Sequence, residues 1–298
     1  MRILLTGSNG FLGKHIFSQM FSSHNVITLS KSNAQINCDL SVTQPELPFV
    51  DLVVHAAGKA HIVPKTKSEQ NDFFSVNVEG TRNLLKGLEN LDSLPRYFVY
   101  VSSVSVYGLE TGLNIPETSP LIASDPYGKS KIICEKIVID WCESHNVKFT
   151  ILRLPLLIGS GSKGNLSSMI SGIRKGYYFN VNGGKSKKSM VLASDVARFI
   201  DKASIVGGIF NLTDGYHPSF KEVSTKISFY LGRKEPINIP YFLARIAAYI
   251  GDKFGNLSPV NSRLLKKINS SLTFDDSKAR YEFGWAPNPV LENLNKIL

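Results

Sequence analysis

The sequence predicts an α/β fold, a doubly wound parallel sheet with helices on both faces, joined to a smaller, interleaved C-terminal lobe. Three observations predict it. Short apolar runs alternate with helical stretches through about residue 160, the pattern of successive βαβ units. The first run opens into a glycine-spaced turn at Gly7, Gly10 and Gly13. No repeat or low-complexity linker interrupts the 298 residues, a length that allows a large core or two intimately joined lobes.

Arg2-Ile3-Leu4-Leu5 forms the first strand and leads into Thr6-Gly7-Ser8-Asn9-Gly10-Phe11-Leu12-Gly13, with a helix from Lys14 to Phe21. A strand, a tight turn and a helix N-terminus make an anion site, because backbone N–H groups and the positive end of the helix dipole face a pyrophosphate. Gly7 permits the turn, Gly10 the close backbone approach and Gly13 the helix–strand packing. The second strand, Val26 to Leu29, ends at Ser30-Lys31-Ser32. A carboxylate here would bind the ribose diol of NAD; a hydroxyl and a cation suit a 2′-phosphate instead, so NADP(H) is favoured with NAD(H) as the alternative.

Cys38-Asp39-Leu40 places Asp39 near the adenine amino group or, equally, at a turn or helix cap. Asp51 to Val54 is a strand, and the small residues after His55, Ala56-Ala57-Gly58, let the backbone pass close to a dinucleotide. Ser103 follows a further strand, and Tyr127 and Lys131 stand four apart in Asp125-Pro126-Tyr127-Gly128-Lys129-Ser130-Lys131. That spacing puts both side chains on one helix face, where the ammonium would favour the ionised phenol. Phe149 to Leu154 is the next strand. Ser189 to Leu192 is another, followed by a helix capped by Ser194 or Asp195, and Gly208 to Leu212 a last one.

In this order, Thr6 to Gly13, His55 to Gly58, Asn77-Val78-Glu79-Gly80-Thr81, Val101 to Gly108, Tyr127 to Lys131, and Ser277-Lys278-Ala279-Arg280 followed by Phe283-Gly284-Trp285-Ala286-Pro287 resemble the extended short-chain dehydrogenase/reductase family, within its nucleotide-sugar epimerase/dehydratase branch. The resemblance implies a Rossmann-type sheet. It implies Tyr127 as proton donor or acceptor, Lys131 as the group that holds the nicotinamide ribose and tunes Tyr127, and Ser103 as the hydroxyl on the reacting oxygen, with Ser102 or Ser105 as alternatives. Its cofactor set comprises Gly7, Asn9, Gly10, Phe11, Leu12, Gly13, Ser30, Lys31, Asp39, Leu40, Ala56, Ala57, Gly58, Asn77, Tyr127, Lys131 and Leu154. Its substrate set comprises Ser103, Ser105, Lys163, Asn165 and Lys188.

Two departures narrow the chemistry. Family dehydratases follow the catalytic hydroxyl with an Asp-Glu pair, where this chain has Val104 and Ser105, so dehydration is not expected. Arg153-Leu154-Pro155-Leu156 has Leu where the family's substrate-binding Arg-x-x-Asn has Asn, which looks more like the subgroup acting on UDP-N-acetyl-hexosamines and their 4-keto-6-deoxy forms. Lys188 stands where relatives reach the nucleotide phosphates with Arg, and otherwise belongs to the solvated run Lys185 to Lys188. The resemblance implies NADPH-dependent reduction at C4 of a nucleotide-diphosphate 4-keto sugar, or 4-epimerisation of a UDP-sugar with retained NAD. A catalytically silent cofactor-binding sensor or scaffold is the reading from another class.

Charge is uneven. Residues 1–150 carry 13 Lys and Arg against 14 Asp and Glu, and residues 151–298 carry 21 against 10, which accounts for the net +10. A basic C-terminal half suits an anionic substrate or, alternatively, a membrane surface; no nucleic-acid partner is expected, since the basic residues lack interleaved aromatics. Cys38, Cys134 and Cys142 lack metal or redox spacing, so free thiols in the cytoplasm and no metal are expected. Met1 runs directly into the first strand, leaving no room for a cleavable signal. Phe242 to Phe254 is too short and too interrupted by charge to span a bilayer and forms an amphipathic helix instead. Residues 1–162 and 187–212 are assigned to the dinucleotide-binding domain, and 163–186 and 213–298 to the substrate lobe. A homodimer through the helices at Asn77–Leu91 and Tyr127–Glu143 is the family's expectation.

Overall fold

The computed structural model describes residues 1–60, 63–162, 165–253 and 261–298, the side chains of Asn165 and Arg263 aside. Its centre is a seven-stranded, all-parallel sheet built from β1 (Arg2–Thr6), β2 (Asn25–Ser30), β3 (Ile36–Asn37), β4 (Leu52–His55), β5 (Tyr97–Ser103), β7 (Lys148–Leu154) and β11 (Gly208–Asn211). The spatial order is β11-β7-β5-β4-β1-β2-β3. The chain therefore leaves β1 in one direction through β2 and β3, then returns to β4 on the other side. Such a reversal opens a crevice outside the carboxyl ends of β1 and β4, the place where open α/β sheets bind ligands.

The strands read as near-continuous apolar runs because both faces are covered. On one face α1 (Phe11–Met20) and α6 (Ala193–Val206) enclose Ile3, Leu5, Val54 and Leu152. On the other, α3 (Gly80–Glu89) and α4 (Pro126–Ser144) enclose Leu4, Val53, Phe98 and Ile151. Helix α2 (Lys67–Phe73) carries a capping box at Thr66 and Glu69 and continues through a π-helical segment, Phe74–Glu79, into α3. Helix α1 starts at Phe11, three residues earlier than expected, with Gly10 as its N-cap. Gly13 thus lies in the first turn, where a Cβ would overlap the Gly7 carbonyl.

Three two-stranded sheets build the rest: β6 (Gly112–Ile115) with β13 (Leu272–Phe274), β8 (Leu156–Ile158) with β10 (Met190–Leu192), and β9 (Asn180–Val181) with β12 (Asn238–Ile239). Helices α5 (Asn165–Lys175) and α7 (Phe220–Tyr230) share an apolar cluster with Ile158 and Met190, while α8 (Tyr241–Lys253) packs on α9 (Ser262–Asn269) through Ala244, Ala248 and Leu265. Helix α10 (Ser277–Phe283) turns back to the large sheet, and Ala279, Phe283 and Trp285 share the core of α1 and α6 although the sequence reading gives 213–298 to the smaller lobe. Neither Ser194 nor Asp195 caps α6: Leu192 is its N-cap residue, and Asp195 instead accepts from Asn288 and from Arg198.

Candidate active site

The three loops that follow β1, β4 and β5 meet at the crevice. Gly7 has φ +68°, a conformation glycine adopts without cost, and a Cβ there would come within 2.7 Å of the Ala57 backbone. The loops after β1 and β4 are therefore pressed together. The Gly10 N–H donates to the Gly7 carbonyl at 2.9 Å, and no side chain caps α1, so the remaining N–H groups of its first turn face the crevice. Ser8 and Ser30 share a hydroxyl contact at 3.1 Å, and the Asn9 amide donates to the Ser32 carbonyl, which ties the glycine loop to the end of β2. A cleft of about 650 Å³ runs from Gly7 and Asn9 past Ser30, Lys31, Asp39 and Leu40 to Ala57 and Gly58. Phe11 lies against His15 at its helix start, and Leu12 and Leu154 are core residues beneath the loops.

A buried relay fixes the floor. Ala57 N–H donates to Thr6 Oγ1, leaving the Thr6 hydroxyl to donate to His55 Nδ1 at 2.7 Å. His55 Nε2 then donates to Thr81 Oγ1 at 3.0 Å, and Thr81 donates to the Asn77 carbonyl at 2.7 Å. Burial pushes His55 down to about 3, with the Lys131 charge acting in the same direction, so the imidazole is a neutral strut. Asn77 sits in the π-helical segment, a distortion common at functional sites. Its amide donates to Ser130 Oγ at 2.8 Å and accepts from Lys59 N–H at 2.7 Å.

Ser103 ends β5, accepts from Ser105 N–H at 3.2 Å and shares a hydroxyl contact with Ser105 Oγ at 3.1 Å. Tyr127 occupies the first turn of α4, which is capped by the Asp125 side chain at Gly128 N–H and carries Pro126 at its start. Burial raises the Tyr127 phenol above its ordinary range; the Ser103 hydrogen bond opposes this and Asp125 adds to it. The expected stabilisation of the ionised phenol by Lys131 is corrected here. Lys131 does not act on the Tyr127 phenol but reaches β5, donating to Tyr100 Oη at 3.0 Å and to the Val101 carbonyl at 2.8 Å, with its ammonium 4.6 Å from the centre of the Tyr100 ring. Burial pushes Lys131 down to about 8, while Cys134 and Glu135 act the other way. A Cβ on Gly58 would lie 3.5 Å from the Lys131 ammonium and 3.1 Å from Asn77 Oδ1. Gly58, Asn77 and Lys131 thus converge beside the cleft that the glycine loop opens, and Ser103 meets Tyr127 at the end of β5.

The chemistry of this lining fits a nicotinamide dinucleotide: free N–H groups at a helix start for a diphosphate, loops with no room for a side chain, and a cation at the far end.

Other assigned residues fall elsewhere. Ser102 donates to Glu135 and is unavailable for an incoming oxygen. Arg153, from the strand where the family binds substrate, is 3% exposed and locked to Glu135 at 2.7 Å, with further bonds to Tyr107 Oη and the Glu117 carbonyl. Lys31 is paired with Asp39 at 2.9 Å. Lys188 is half-buried rather than part of a solvated run, and burial pushes it down to about 8, with Lys267 adding to that and Glu110 opposing it. Lys163 and the side chain of Asn165 lie outside the described residues. Sequence reasoning missed Lys59 and Asp72, an ion pair lining the cleft beside Asn77, and Tyr100, the partner of Lys131. Lys59 directly follows the Ala56-Ala57-Gly58 turn, and that position is the one signal that pointed to it.

Among the described residues no group of His, Cys, Asp and Glu could hold a metal ion, and no helix is long and apolar enough to cross a membrane.

Comparison with known proteins adds the family. The chain is 25% identical, over 99% of its length and 94% of the relative's, to the N-acetyl-alpha-D-glucosaminyl-diphospho-ditrans,octacis-undecaprenol 4-epimerase of Escherichia coli O157:H7. It is 26% identical to the GDP-6-deoxy-D-mannose reductase of Pseudomonas aeruginosa over 74% of this chain and 77% of that one. The solved UDP-glucose 4-epimerase of Thermotoga maritima with UDP-glucose has the same fold, at TM-score 0.76 and 20% identity over 99% of this chain and 97% of that one. Residues 3–211 match the model of the NAD dependent epimerase/dehydratase family, and the chain belongs to that family.

Proposed function

We propose that the protein is an NAD(P)-dependent oxidoreductase acting at C4 of a nucleotide-diphosphate sugar, reducing a 4-keto-6-deoxy-hexose or its N-acetylamino form. The observation that carries this reading is the pairing of Ser103 with a protonated Tyr127 at the carboxyl end of β5, with Lys131 one helical turn away. A bound nicotinamide supplies hydride to the carbonyl carbon. Ser103 donates a hydrogen bond to the carbonyl oxygen, and Tyr127, held in its protonated form by burial, delivers the proton to that oxygen. Lys131, anchored on Tyr100 and Val101 beside Gly58, would hold the cofactor ribose. Val104 and Ser105 in place of an acid pair leave no group to eliminate water.

Tyr127→Phe removes the proton path alone. Turnover of an NDP-4-keto sugar is expected to fall by about 10² or more, with cofactor affinity unchanged within about twofold; retained turnover would reject the assignment. We further propose NADP(H), on the strength of Ser30 and Lys31 at the end of β2. Because Asp39 holds Lys31, the cation must be shared between carboxylate and 2′-phosphate. Lys31→Asp is expected to shift the NADP(H):NAD(H) affinity ratio toward NAD(H) by about tenfold, read by titration; an unmoved ratio removes Lys31 from the recognition.

The second reading is a 4-epimerase with tightly retained NAD, supported by a relative named as a 4-epimerase that matches nearly the full chain. NAD carried through purification and interconversion of UDP-sugars without added cofactor would favour it.

A further inference from the structure

Among the described residues, the outward face of α8 is left exposed. Its inward side is satisfied: Ala244 and Ala248 pack against Leu265 of α9, and Asp252 accepts from Ser262. On the opposite side, Phe242, Ile246, Tyr249 and Ile250 are 63%, 55%, 63% and 50% exposed. Their spacing of three and four residues aligns them on one stripe of the helix. Further apolar residues are exposed just before the helix. Asn180 donates to the Ile237 carbonyl where β9 and β12 pair, so Phe179 and Ile237, both exposed, stand together just before α8 begins. Large apolar side chains exposed in a row along one helix face mark an interaction surface.

Charge says what covers it. Arg233 and Lys234 precede β12, Arg245 lies within α8, and Lys253 ends that helix with its ammonium 5.1 Å from the Tyr249 ring; all four are exposed. Glu235 lies among them. The surrounding half-chain nevertheless carries 21 basic against 10 acidic residues. An apolar stripe of aromatic and branched side chains with a basic border matches a lipid interface in which acyl chains meet anionic headgroups. A helix of 13 residues is too short to span a bilayer but the right length to lie along one.

We propose that this face seats the protein on an anionic membrane surface, with Phe242, Ile246 and Tyr249 entering the headgroup boundary and the basic border holding the lipid phosphates. The seat is independent of the C4 chemistry, and its test does not use turnover. The full-length protein is mixed with vesicles of phosphatidylglycerol and phosphatidylcholine in equal parts, or of phosphatidylcholine alone, and sedimented. Binding to the anionic vesicles is expected to exceed binding to the neutral ones by about tenfold and to weaken as salt is raised. The variant Phe242→Ser/Ile246→Ser/Tyr249→Ser is expected to lose about tenfold in vesicle affinity while keeping its dinucleotide affinity. Should that variant fail to fold, Phe242→Trp decides: its added emission must shift to shorter wavelength with anionic vesicles. Wild-type protein that ignores both vesicles, a triple variant that binds like wild type, or an unshifted Trp would overturn the proposal. So would a wild-type dimer that the triple variant splits without any vesicle binding, which would assign the face to a second copy of the chain.

Discussion

Two buried cations, Arg153 and Lys131, have opposite fates. Arg153 meets Glu135 through paired nitrogens and oxygens, with Tyr107 and the Glu117 carbonyl completing its set. Lys131, four residues before Glu135 on the same helix, finds only the neutral oxygens of Tyr100 and Val101. The position along β5 decides which is which: Tyr100 and Ser102 meet Lys131 and Glu135 of α4, whereas Ser103, at the strand end, meets Ser105 and Tyr127. A fully partnered ion pair is a brace, because moving either charge strands the other. A cation held by neutral groups keeps its proton less firmly and remains free to bind an incoming ribose.

This contrast is open to attack at three points. The largest effect is expected from Glu135→Gln, which leaves Arg153 buried without a counter-charge and should cost about 3–5 kcal/mol of unfolding free energy; adding Arg153→Met should restore most of it. Denaturant titration reads both, and a loss under about 1 kcal/mol for Glu135→Gln would mean that the pair is no brace.

Next comes the pH dependence of Lys131. Its folded value of about 8 lies below the ordinary 10.5, so burial of the ammonium opposes folding. That penalty is complete below about pH 8 and is relieved as the pH rises through 10.5, above which the lysine is neutral in both states. Relative to Lys131→Met, wild type should therefore gain about 3 kcal/mol of stability between pH 7.5 and 10.5. A flat difference between the two proteins would contradict an unpaired, desolvated ammonium.

The smallest effect separates neighbouring hydroxyls. Ser102→Ala removes a hydrogen bond to a carboxylate and should cost about 1.5–3 kcal/mol with kcat nearly intact. Ser103→Ala should lower kcat by about 10² and leave stability within about 0.5 kcal/mol. If Ser102→Ala alone lowered kcat, the two serines would have to exchange roles.

Much of this was visible in one dimension. The glycine turn, the small residues after β4 and the Tyr-x-x-x-Lys spacing are local patterns, since each depends on backbone geometry or helix periodicity within a few residues. They located the crevice and named Tyr127, Lys131 and Ser103. Spacing alone could not give the direction in which Lys131 extends, and the expected help to the Tyr127 anion was wrong for that reason: a four-carbon stem reaches β5 as readily as the preceding turn. The choice between Ser102 and Ser103 likewise waited on Glu135, 33 residues away along the chain.

The amino-acid sequence by itself determined the parallel sheet, the dinucleotide cradle at its switch point and the basic bias of the second half, because periodicity, glycine placement and charge are properties of short stretches. Tertiary structure alone decided that Arg153 pairs with Glu135, that Lys31 pairs with Asp39, and that α8 turns an apolar stripe outward. Each of those outcomes depends on which distant group occupies the space beside a side chain, and burial with its partners, not residue type, sets what a charge or an apolar surface can do.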